Sequence, residues 1–247
     1  MTEPSLEPDI KFGTDGWRGL IADDFTFANV ARCAQGVCDY LRARGTADQG
    51  LVIGYDTRFL SREFAETVAR TCAANGVKTF LANHPAPTPA VSYNVLHHKA
   101  AGAAILTASH NPAIWNGFKF KPEYAGSATQ EITDDLEAAI GSTGQTRSMP
   151  LDLAKDQGLV TEFDPDPPYI QRLGELVDLD LIRRAGLEIQ VDAMFGAGAG
   201  YFSKVLSGVE AAGATRVQEM NSYINPSFPG IVQPEPIAQN LAGLLHT

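Results

Sequence analysis

The sequence predicts an α/β fold made of two α/β/α domains, each built on a mixed sheet whose strands are mostly parallel. Short apolar runs alternate along the chain with longer segments whose apolar residues recur at helical spacing, a rhythm typical of strand–helix–strand units. The length of 247 residues exceeds that of one typical domain. A polar stretch with clustered Gly, Ser, Thr and Pro interrupts the alternation over residues 141–168, which indicates a boundary between two domains.

This interruption sets the predicted domain limits. We place the first domain at residues 1–145, with a loose leader over residues 1–9, a linker at 146–168 and the second domain at 169–247. Because the second domain ends on a predicted helix without a following strand, we expect it to be truncated. An incomplete domain leaves a sheet edge or an apolar face uncovered, so we also expect self-association of the chain.

The first domain opens with a glycine-rich loop over residues 11–19. A helix begins at Thr26, because apolar residues then recur every three or four positions for several turns. The apolar run 51–55 predicts a buried strand. Ser61 is predicted to cap the next helix, which ends at Asn75-Gly76.

The later elements follow the same alternation. A strand at 77–81 is followed by the proline-rich loop 85–89. The first domain then continues with a helix over 90–98, strands at 100–106 and 117–121, and a helix over 129–140. The second domain is predicted to hold a helix over 169–177, a strand at 187–191, a helix from about Gly198, a strand near 215–218 and a helix from near Pro236.

Composition excludes several classes of partner. The net charge of −10 argues against a nucleic-acid surface, because phosphate backbones require clustered Lys and Arg. The sequence has neither a signal peptide nor a run of the roughly 20 apolar residues that a membrane span needs. Cys33, Cys38 and Cys72 show no metal-binding spacing and lie in helical segments, which indicates core thiols in a reducing compartment. We therefore expect a cytoplasmic protein without a nucleic-acid or membrane partner, whereas a phosphorylated small molecule needs only a few local cations.

The hexapeptide Thr-Ala-Ser-His-Asn-Pro, residues 107–112, directly follows the apolar run 100–106. It places Ser109, His110 and Asn111 outside the carboxyl end of a strand, where open α/β sheets bind ligands. A serine hydroxyl is a weak nucleophile without an activating group, so a structural turn remains the alternative interpretation of these residues alone. A serine hydrolase is disfavoured because the G-x-S-x-G elbow is absent.

Two further segments carry cations. Alternation along the strand at 117–121 puts Lys119 and Lys121 on one face, a pair suited to an anion and to proton transfer, unless that face is solvated. Arg18 lies in the glycine-rich loop, where close backbone approach and a forked guanidinium suit phosphate, although a surface arginine in a tight turn is the alternative.

A glycine-rich motif in the second domain suggests a different function. Gly196-Ala-Gly198-Ala-Gly200 follows a predicted strand, and Glu219 comes about twenty residues later, as in a dinucleotide site. However, its spacing is G-x-G-x-G and not G-x-G-x-x-G. We interpret the glycines as small residues that let a helix begin close to a strand.

Four segments together resemble the α-D-phosphohexomutase family, most closely its bacterial phosphoglucomutase/phosphomannomutase type. The resemblance is strong over about the first 145 residues and weaker through residues 191–198 and 225–230. The four segments are Gly-Thr-Asp-Gly-Trp-Arg-Gly (13–19), Gly-Tyr-Asp-Thr-Arg (54–58), Thr-Ala-Ser-His-Asn-Pro (107–112) and Asn-Gly-Phe-Lys (116–119).

This resemblance implies an isomerase that interconverts hexose 1-phosphate and hexose 6-phosphate through hexose 1,6-bisphosphate. It implies that Ser109 carries the phosphoryl group and that its phosphate is a ligand of a catalytic Mg²⁺. Arg18 and Lys119 would bind substrate near the transferring group, as charge stabiliser and general acid/base. His110 and Asn111 would position the phosphoserine and the substrate. Phosphoryl transfer does require cations around the transferring oxygens.

The sequence departs from the family's pattern, because the metal loop, the sugar-recognition loop and the C-terminal phosphate-binding domain are all missing from it. The Asp-Gly-Asp-x-Asp-Arg metal loop is absent, and Mg²⁺ prefers six oxygen ligands that include carboxylates. We therefore expect the remaining Asp ligands to lie outside this chain, which would be an N-terminal part that is inactive alone. The alternative is a non-catalytic sugar-phosphate-binding or regulatory fragment. For Asp56 and Arg58 the resemblance implies no more than a part in shaping the loop.

Overall fold

The computed structural model of the chain describes residues 10–13, 16–207 and 213–245. The predicted leader over 1–9, and Thr14 and Asp15 of the glycine-rich loop, lie outside the described residues. The strands are β1 (Trp17–Leu20), β2 (Leu51–Tyr55), β3 (Thr79–Ala82), β4 (Gly102–Leu106), β5 (Trp115–Pro122), β6 (Val160–Phe163), β7 (Glu188–Asp192) and β8 (Arg216–Met220). The helices are α1 (Phe27–Ala43), α2 (Ser61–Ala74), α3 (Thr88–His98), α4 (Gln130–Gly141), α5 (Leu151–Asp156), α6 (Asp166–Leu176), α7 (Leu179–Arg184), α8 (Tyr201–Leu206) and α9 (Ala242–Leu245).

The first sheet has the strand order β1-β5-β4-β2-β3-β6 among the described residues. Strands β4, β2, β3 and β6 are parallel, whereas β5 runs antiparallel to β4 and β1 antiparallel to β5. The predicted mixed, mostly parallel sheet is therefore confirmed. Every residue of β2 and β4 is buried, as expected for central strands that are covered on both faces.

Helices cover both faces of this sheet. On one face, α1, α2 and α4 bury apolar side chains such as Val37, Val68 and Leu136. On the other face, Val91 and Val95 of α3 pack in a cluster with Ile105 of β4. The three cysteines are buried free thiols, as the sequence predicts. In the part of the chain that is described, no helix combines the length and the apolar character that crossing a membrane requires.

Side-chain caps fix the beginnings of two helices but not of a third. The hydroxyls of Thr26 and Thr129 accept backbone N–H groups at the N-termini of α1 and α4, which agrees with the predicted starts. The predicted cap Ser61 is wrong, because the N-cap of α2 is Leu60. The Ser61 hydroxyl instead donates to Asp56 Oδ1 at 2.8 Å, so the preceding loop uses the group that was expected to cap the helix.

Two short strands occur where the sequence predicts none. Trp17–Leu20, in the predicted glycine-rich loop, pairs with β5, and Val160–Phe163, in the predicted linker, pairs with β3. Each has four residues, too few to show a clear period, and the neighbouring buried strand determines their conformation. The segment predicted as a linker therefore contributes a strand to the first sheet.

The second sheet is a parallel pair, β7 and β8, in the described residues. The sequence predicts both strands to within about two residues. It does not predict α7, and the last helix begins at Ala242 and not near Pro236. Proline-rich and asparagine-rich segments before Ala242 form turns, which delays the helix.

The glycine-rich motif of the second domain, residues 196–200, is hydrogen-bonded to Glu219 through the Gly200 N–H. Glu219 on β8 accepts hydrogen bonds from the Gly200 N–H at 2.6 Å, the Ser203 N–H at 3.0 Å and the Ser203 hydroxyl at 2.7 Å. Burial raises the pKa of the Glu219 carboxyl, but these hydrogen bonds from Ser203 and Gly200 outweigh it and lower the pKa overall. The carboxylate thus links the beginning of α8 to β8. A Cβ added at Gly198 or Gly200 would meet no described atom within 4 Å, so the predicted need for small residues at a close helix–strand approach is wrong at these two positions. Gly200 instead has a φ of 80°, which favours glycine.

A close crossing of α1 and α4 gives the first prediction. A Cβ added at Gly36 would lie 2.4 Å from Ile140 Cγ1 and 2.9 Å from Ile140 N. Gly36→Ala should therefore lower the free energy of unfolding by about 1–3 kcal/mol, measured by urea unfolding. The control is Gly141→Ala, where the described structure leaves open space, and it should be neutral or stabilising by up to about 1 kcal/mol. Equal stability of the two variants would contradict the close crossing.

The Glu219 contacts predict a pH-dependent contribution to stability. Because the folded-state pKa lies below the ordinary value of 4.5, the contribution is present above that value and is lost as pH falls through the lowered pKa. Urea unfolding at several pH values should show Glu219→Gln destabilised near neutral pH, with the difference from wild type shrinking in acid. The control Glu188→Gln changes an exposed carboxylate on β7 and should have little effect. A Glu219→Gln difference that persists in acid would refute the assignment.

Candidate active site around Ser109

The loop that carries Ser109 follows β4 and is closed by short-range hydrogen bonds. The Ser109 N–H donates to Thr107 Oγ1 at 3.0 Å, and the Asn111 N–H donates to the Ala108 carbonyl at 3.1 Å. The Thr107 N–H reaches across to the Gly117 carbonyl on β5 at 2.9 Å. These bonds form the predicted turn, yet Ser109 itself is exposed on it.

Ser109 adopts a strained backbone conformation. Its φ is 56°, in the left-handed region, which costs a residue other than glycine on the order of 1–3 kcal/mol. Such a conformation persists only where surrounding contacts hold it. The loop is therefore shaped by its neighbours and not by its own preference.

Arg58 supplies most of those contacts. Its Nη2 donates to the carbonyls of Ser109 and Asn111, both at 2.7 Å. Its Nη1 donates to the carbonyls of Pro112 and Trp115 at 2.9 and 3.1 Å. One buried guanidinium thus satisfies four carbonyls of the loop, each by a charge-assisted hydrogen bond.

Asp56 holds this guanidinium in place. Asp56 Oδ2 lies 3.2 Å from Arg58 Nε, and the Arg58 side chain is 1% exposed. Burial lowers the pKa of the Arg58 guanidinium, while the charge and hydrogen bond of Asp56 oppose that shift. Arginine retains its charge at neutral pH even when buried, so a fixed positive charge lies directly beneath the loop.

Arg18 approaches the same loop from β1. Its Nη1 donates to Asn111 Oδ1 at 2.6 Å, and Gly117 is its partner in the β1–β5 ladder. A Cβ at Gly117 would lie 2.5 Å from the Thr107 carbonyl oxygen. Only glycine therefore permits β1, β5 and the loop to approach so closely, and Arg18 is a loop contact rather than an isolated surface arginine.

Lys119 and Lys121 lie on one face of β5, as predicted. They pair with Ile105 and Ala103 of β4, on the face that carries α3. Both are buried, at 6% and 7% exposure, and β5 is an interior strand because β1 covers its outer side. The alternative of a solvated outer face is therefore wrong.

His110 is exposed beside Ser109. Among the described residues, the hydrogen bonds include none between the two side chains, so the structure gives no support to a Ser–His pair of the hydrolase kind. The contacts of the loop involve Arg18, Asn111 and Arg58 instead. Sequence reasoning gave Arg58 only a minor part, although it lies in a segment that carried the family resemblance.

The second domain closes one side of the site. Thr57 Oγ1 donates to the Phe195 carbonyl at 2.7 Å, and Arg58 Cζ lies 5.3 Å from the centroid of the Phe228 ring. A cleft of about 200 Å³ lies between the domains. Its lining includes Asp56, Thr57, Arg58, Thr107, Ser109, Met194, Gly196 and Phe228. Sequence reasoning did not identify Thr57, Phe195 or Phe228 as part of the site.

Residues from the second domain meet this cleft in strained conformations. Met194, Phe195 and Phe228 have φ values of 47°, 59° and 45°. Left-handed conformations in residues other than glycine cluster at functional sites. Met194 and Phe228 line the cleft together with Ser109, so strained backbone from both domains lines the cleft.

The described residues do not by themselves fit a Mg²⁺ ion beside Ser109. Asp56 is the one carboxylate among the described residues that line the cleft, and it already binds Arg58 and Ser61. Mg²⁺ requires about six oxygen ligands, usually with more than one carboxylate or phosphate. The predicted Mg²⁺ site at Ser109 therefore needs further ligands.

A second acidic group is formed by residues that do not line this cleft in the described structure. His84, Asp164 and Asp166 have ligand atoms within 4.8 Å of one another. Asp166 accepts a hydrogen bond from Tyr201 and forms an ion pair with Lys204. The ammonium group already neutralises this carboxylate, so the cluster forms an ion-pair network between α6 and α8.

Comparison with known proteins gives consistent matches over both domains. The model of phosphoglucomutase/phosphomannomutase α/β/α domain I matches residues 9–147, and the model of domain II matches residues 167–247. A phosphoglucomutase-1 from Macaca fascicularis is 30% identical over 97% of this chain and 47% of its own length. A phosphoglucomutase from Staphylococcus haemolyticus is 26% identical over 95% of this chain and 43% of its own length.

A solved structure supports the same relationship. A protein from Thermus thermophilus, provisionally assigned as a phosphomannomutase, is 36% identical with a TM-score of 0.85. The alignment covers 98% of this chain and 52% of that protein. The chain thus spans about half the length of the relatives it matches.

Proposed function

The chain belongs to the phosphoglucomutase/phosphomannomutase family, and we propose that it carries the phosphoserine part of a phosphoryl transfer between hexose 1-phosphate and hexose 6-phosphate. The main observation that supports this proposal is the exposed Ser109, which lines the interdomain cleft in a left-handed backbone conformation. A nucleophilic oxygen in that position is open to a phosphorylated sugar while its backbone is fixed.

The proposed reaction moves one phosphoryl group between oxygen atoms. The bond between phosphorus and Ser109 Oγ breaks as a sugar hydroxyl oxygen forms a new bond to phosphorus. The sugar hydroxyl gives up its proton, which Lys119 accepts, and the product is a hexose 1,6-bisphosphate. In the reverse direction, with the other phosphate at Ser109, the same groups return a phosphoryl group to Oγ and release the isomeric monophosphate.

The cations of the site supply charge for this step. Arg18 is held by Asn111, which orients the guanidinium beside the loop and leaves further N–H groups for phosphate oxygens. His110 and Asn111 position the phosphoserine and the substrate. The family resemblance implies a Mg²⁺ that would neutralise phosphoryl oxygens, but the described residues do not complete its site and we assign no step to it.

Asp56, the one carboxylate among the described cleft residues, is already bound to Arg58 and Ser61, and this favours a second candidate function. Without further carboxylates the chain would bind a phosphorylated hexose and not turn it over, as a sugar-phosphate-binding or regulatory fragment. The free, buried cysteines suit a reducing compartment for either function, so the cytoplasm is the proposed location.

Replacement of Ser109 tests the phosphoryl carrier. In the full-length gene product, incubation with glucose 1,6-bisphosphate and Mg²⁺ should add one phosphoryl group to the peptide that contains residue 109, detected by mass spectrometry. Ser109→Ala should abolish this addition and lower turnover of glucose 1-phosphate or mannose 1-phosphate by at least about 10³-fold. Ser127→Ala, an exposed serine outside the cleft, is the control and should retain both. Near-normal turnover in Ser109→Ala would exclude the mechanism, and binding without phosphorylation in wild type would favour the second candidate.

Replacement of Lys119 tests the proton transfer. Lys119→Met should lower kcat by about 10²–10⁴-fold with a smaller change in KM, because the proposed role belongs to the transition state. Lys121→Met is a matched control, since Lys121 is equally buried on the same face of β5. Steady-state kinetics and thermal unfolding of both variants should show a similar loss of stability but a kinetic defect for Lys119→Met alone. Equal kinetic defects would assign both lysines a structural role.

A further inference from the structure

The backbone of Ser109 is fixed at both of its polar groups. Its N–H donates to Thr107 Oγ1, and its carbonyl accepts from Arg58 Nη2. With φ at 56° and both groups bound, rotation of the side chain is the main freedom left to Oγ. Arg58 is the one partner of this set that lies outside the loop, on the segment that connects β2 and α2.

The four Nη N–H groups of Arg58 are all bound by carbonyls of the chain, and its Nε is buried. Two carbonyls accept from Nη2, two accept from Nη1, and Nε faces Asp56 Oδ2 at 3.2 Å. Arginine has five N–H groups in a planar fork. Four of them are taken by carbonyls, and the fifth, on Nε, is buried without a hydrogen bond in the described structure and is therefore closed to a phosphate. Although Arg58 lines the cleft, its contacts are those of a residue that holds the loop and not of a substrate ligand.

The second domain covers this guanidinium. The ring of Phe228 lies 5.3 Å from Arg58 Cζ and is itself 3% exposed. Thr57, the residue directly before Arg58, donates a hydrogen bond from its hydroxyl to the Phe195 carbonyl of the second domain. Exclusion of water strengthens both the cation–π contact and the hydrogen bonds to the loop.

We propose that Arg58 is a positioning residue for Ser109, and that Phe228 couples its hold on the loop to the placement of the second domain. The loop keeps its shape because Arg58 satisfies the four carbonyls, and Arg58 keeps its place because Asp56 and Phe228 enclose it. The consequence for catalysis rests on the proposed phosphoryl transfer, where displacement of a reacting atom by about 1 Å costs about 10²-fold in rate.

Amide hydrogen exchange in the full-length gene product tests the hold on the loop without any substrate. The N–H groups of Asn111 and Trp115 are bonded within the loop. Arg58→Met should increase their exchange rates by at least about tenfold, because each lost charge-assisted bond is worth that factor or more. Exchange in β2 should not change. The control Arg62→Met removes an arginine that is 54% exposed and pairs with Glu66, and it should leave the loop unchanged.

Two further variants keep the test decisive. Phe228→Leu retains an apolar side chain but removes the ring, and it should increase exchange in the same loop by a few-fold. Arg58→Lys keeps the positive charge but loses the planar guanidinium. The loop amides of this variant should exchange more slowly than those of Arg58→Met and faster than those of wild type. If Arg58→Met does not fold, the Phe228→Leu result decides. Unchanged loop exchange in a folded Arg58→Met, or in Phe228→Leu where that variant decides, would overturn the proposal.

Phosphorylation kinetics separate this proposal from the proposed function. Arg58→Met should slow the maximal rate of Ser109 phosphorylation by about 10²-fold with little change in the bisphosphate concentration for half-saturation, because Arg58 offers no donor to the substrate. A large rise in that concentration would make Arg58 a substrate ligand and overturn the proposal. If wild type is never phosphorylated while loop exchange still rises in Arg58→Met, the proposed function fails and the hold of Arg58 on the loop stands. If wild type is phosphorylated and the variant matches it in rate and exchange, only the role of Arg58 fails.

Discussion

The convergence of four loop carbonyls on the Arg58 guanidinium is the interaction on which the site depends. The carbonyls of Ser109, Asn111, Pro112 and Trp115 belong to a segment that leaves β4 and returns as β5, so most of them have no partner in a sheet ladder. Buried carbonyls without a hydrogen bond are costly, and of these four only that of Pro112 has a further donor in the loop, the Trp115 N–H at 3.0 Å, among the described backbone contacts. A buried cation with five donors satisfies them together, and the resulting gain offsets the strain at Ser109.

This guanidinium is itself placed by the sheet through a short series of polar contacts. Asn116 of β5 donates to the Ser61 hydroxyl at 2.9 Å, and that hydroxyl donates to Asp56 at 2.8 Å. Asp56 then pairs with Arg58. Because β5 and the segment after β2 are both fixed by the first sheet, the geometry of the loop follows from strand order and not from flexible surface residues. The protein as a whole is acidic, yet two guanidinium groups meet at this edge of the sheet: that of Arg58, paired with Asp56, and that of Arg18, bound to Asn111.

The sequence predicts the parts of this arrangement that depend on local pattern. The strand 51–55, the helix starts at Thr26 and 129, and the position of Ser109 after a buried strand all follow from apolar periodicity and burial. It cannot predict contacts that depend on pairing between distant segments. β1 and β6 are strands because they pair with β5 and β3, which are distant in sequence. Ser61 does not cap α2, because its hydroxyl is hydrogen-bonded to Asp56 and Asn116. Phe228 reaches Arg58 only when two domains meet, for which a single sequence carries no local signal.

The proposed phosphoryl transfer would explain why a fixed loop backbone and an exposed hydroxyl occur together. Such a transfer needs in-line placement of the attacking and leaving oxygens more than it needs covalent machinery. A carrier serine that serves two different sugar hydroxyls must present the same phosphorus position to each, so the adjustment has to come from the sugar. Fixing the N–H and carbonyl of Ser109 achieves this at the backbone, and exposure of the residue leaves Oγ accessible. The second domain contacts Thr57 and Arg58, so under the proposed transfer these interdomain contacts would help to fix the loop that presents Ser109.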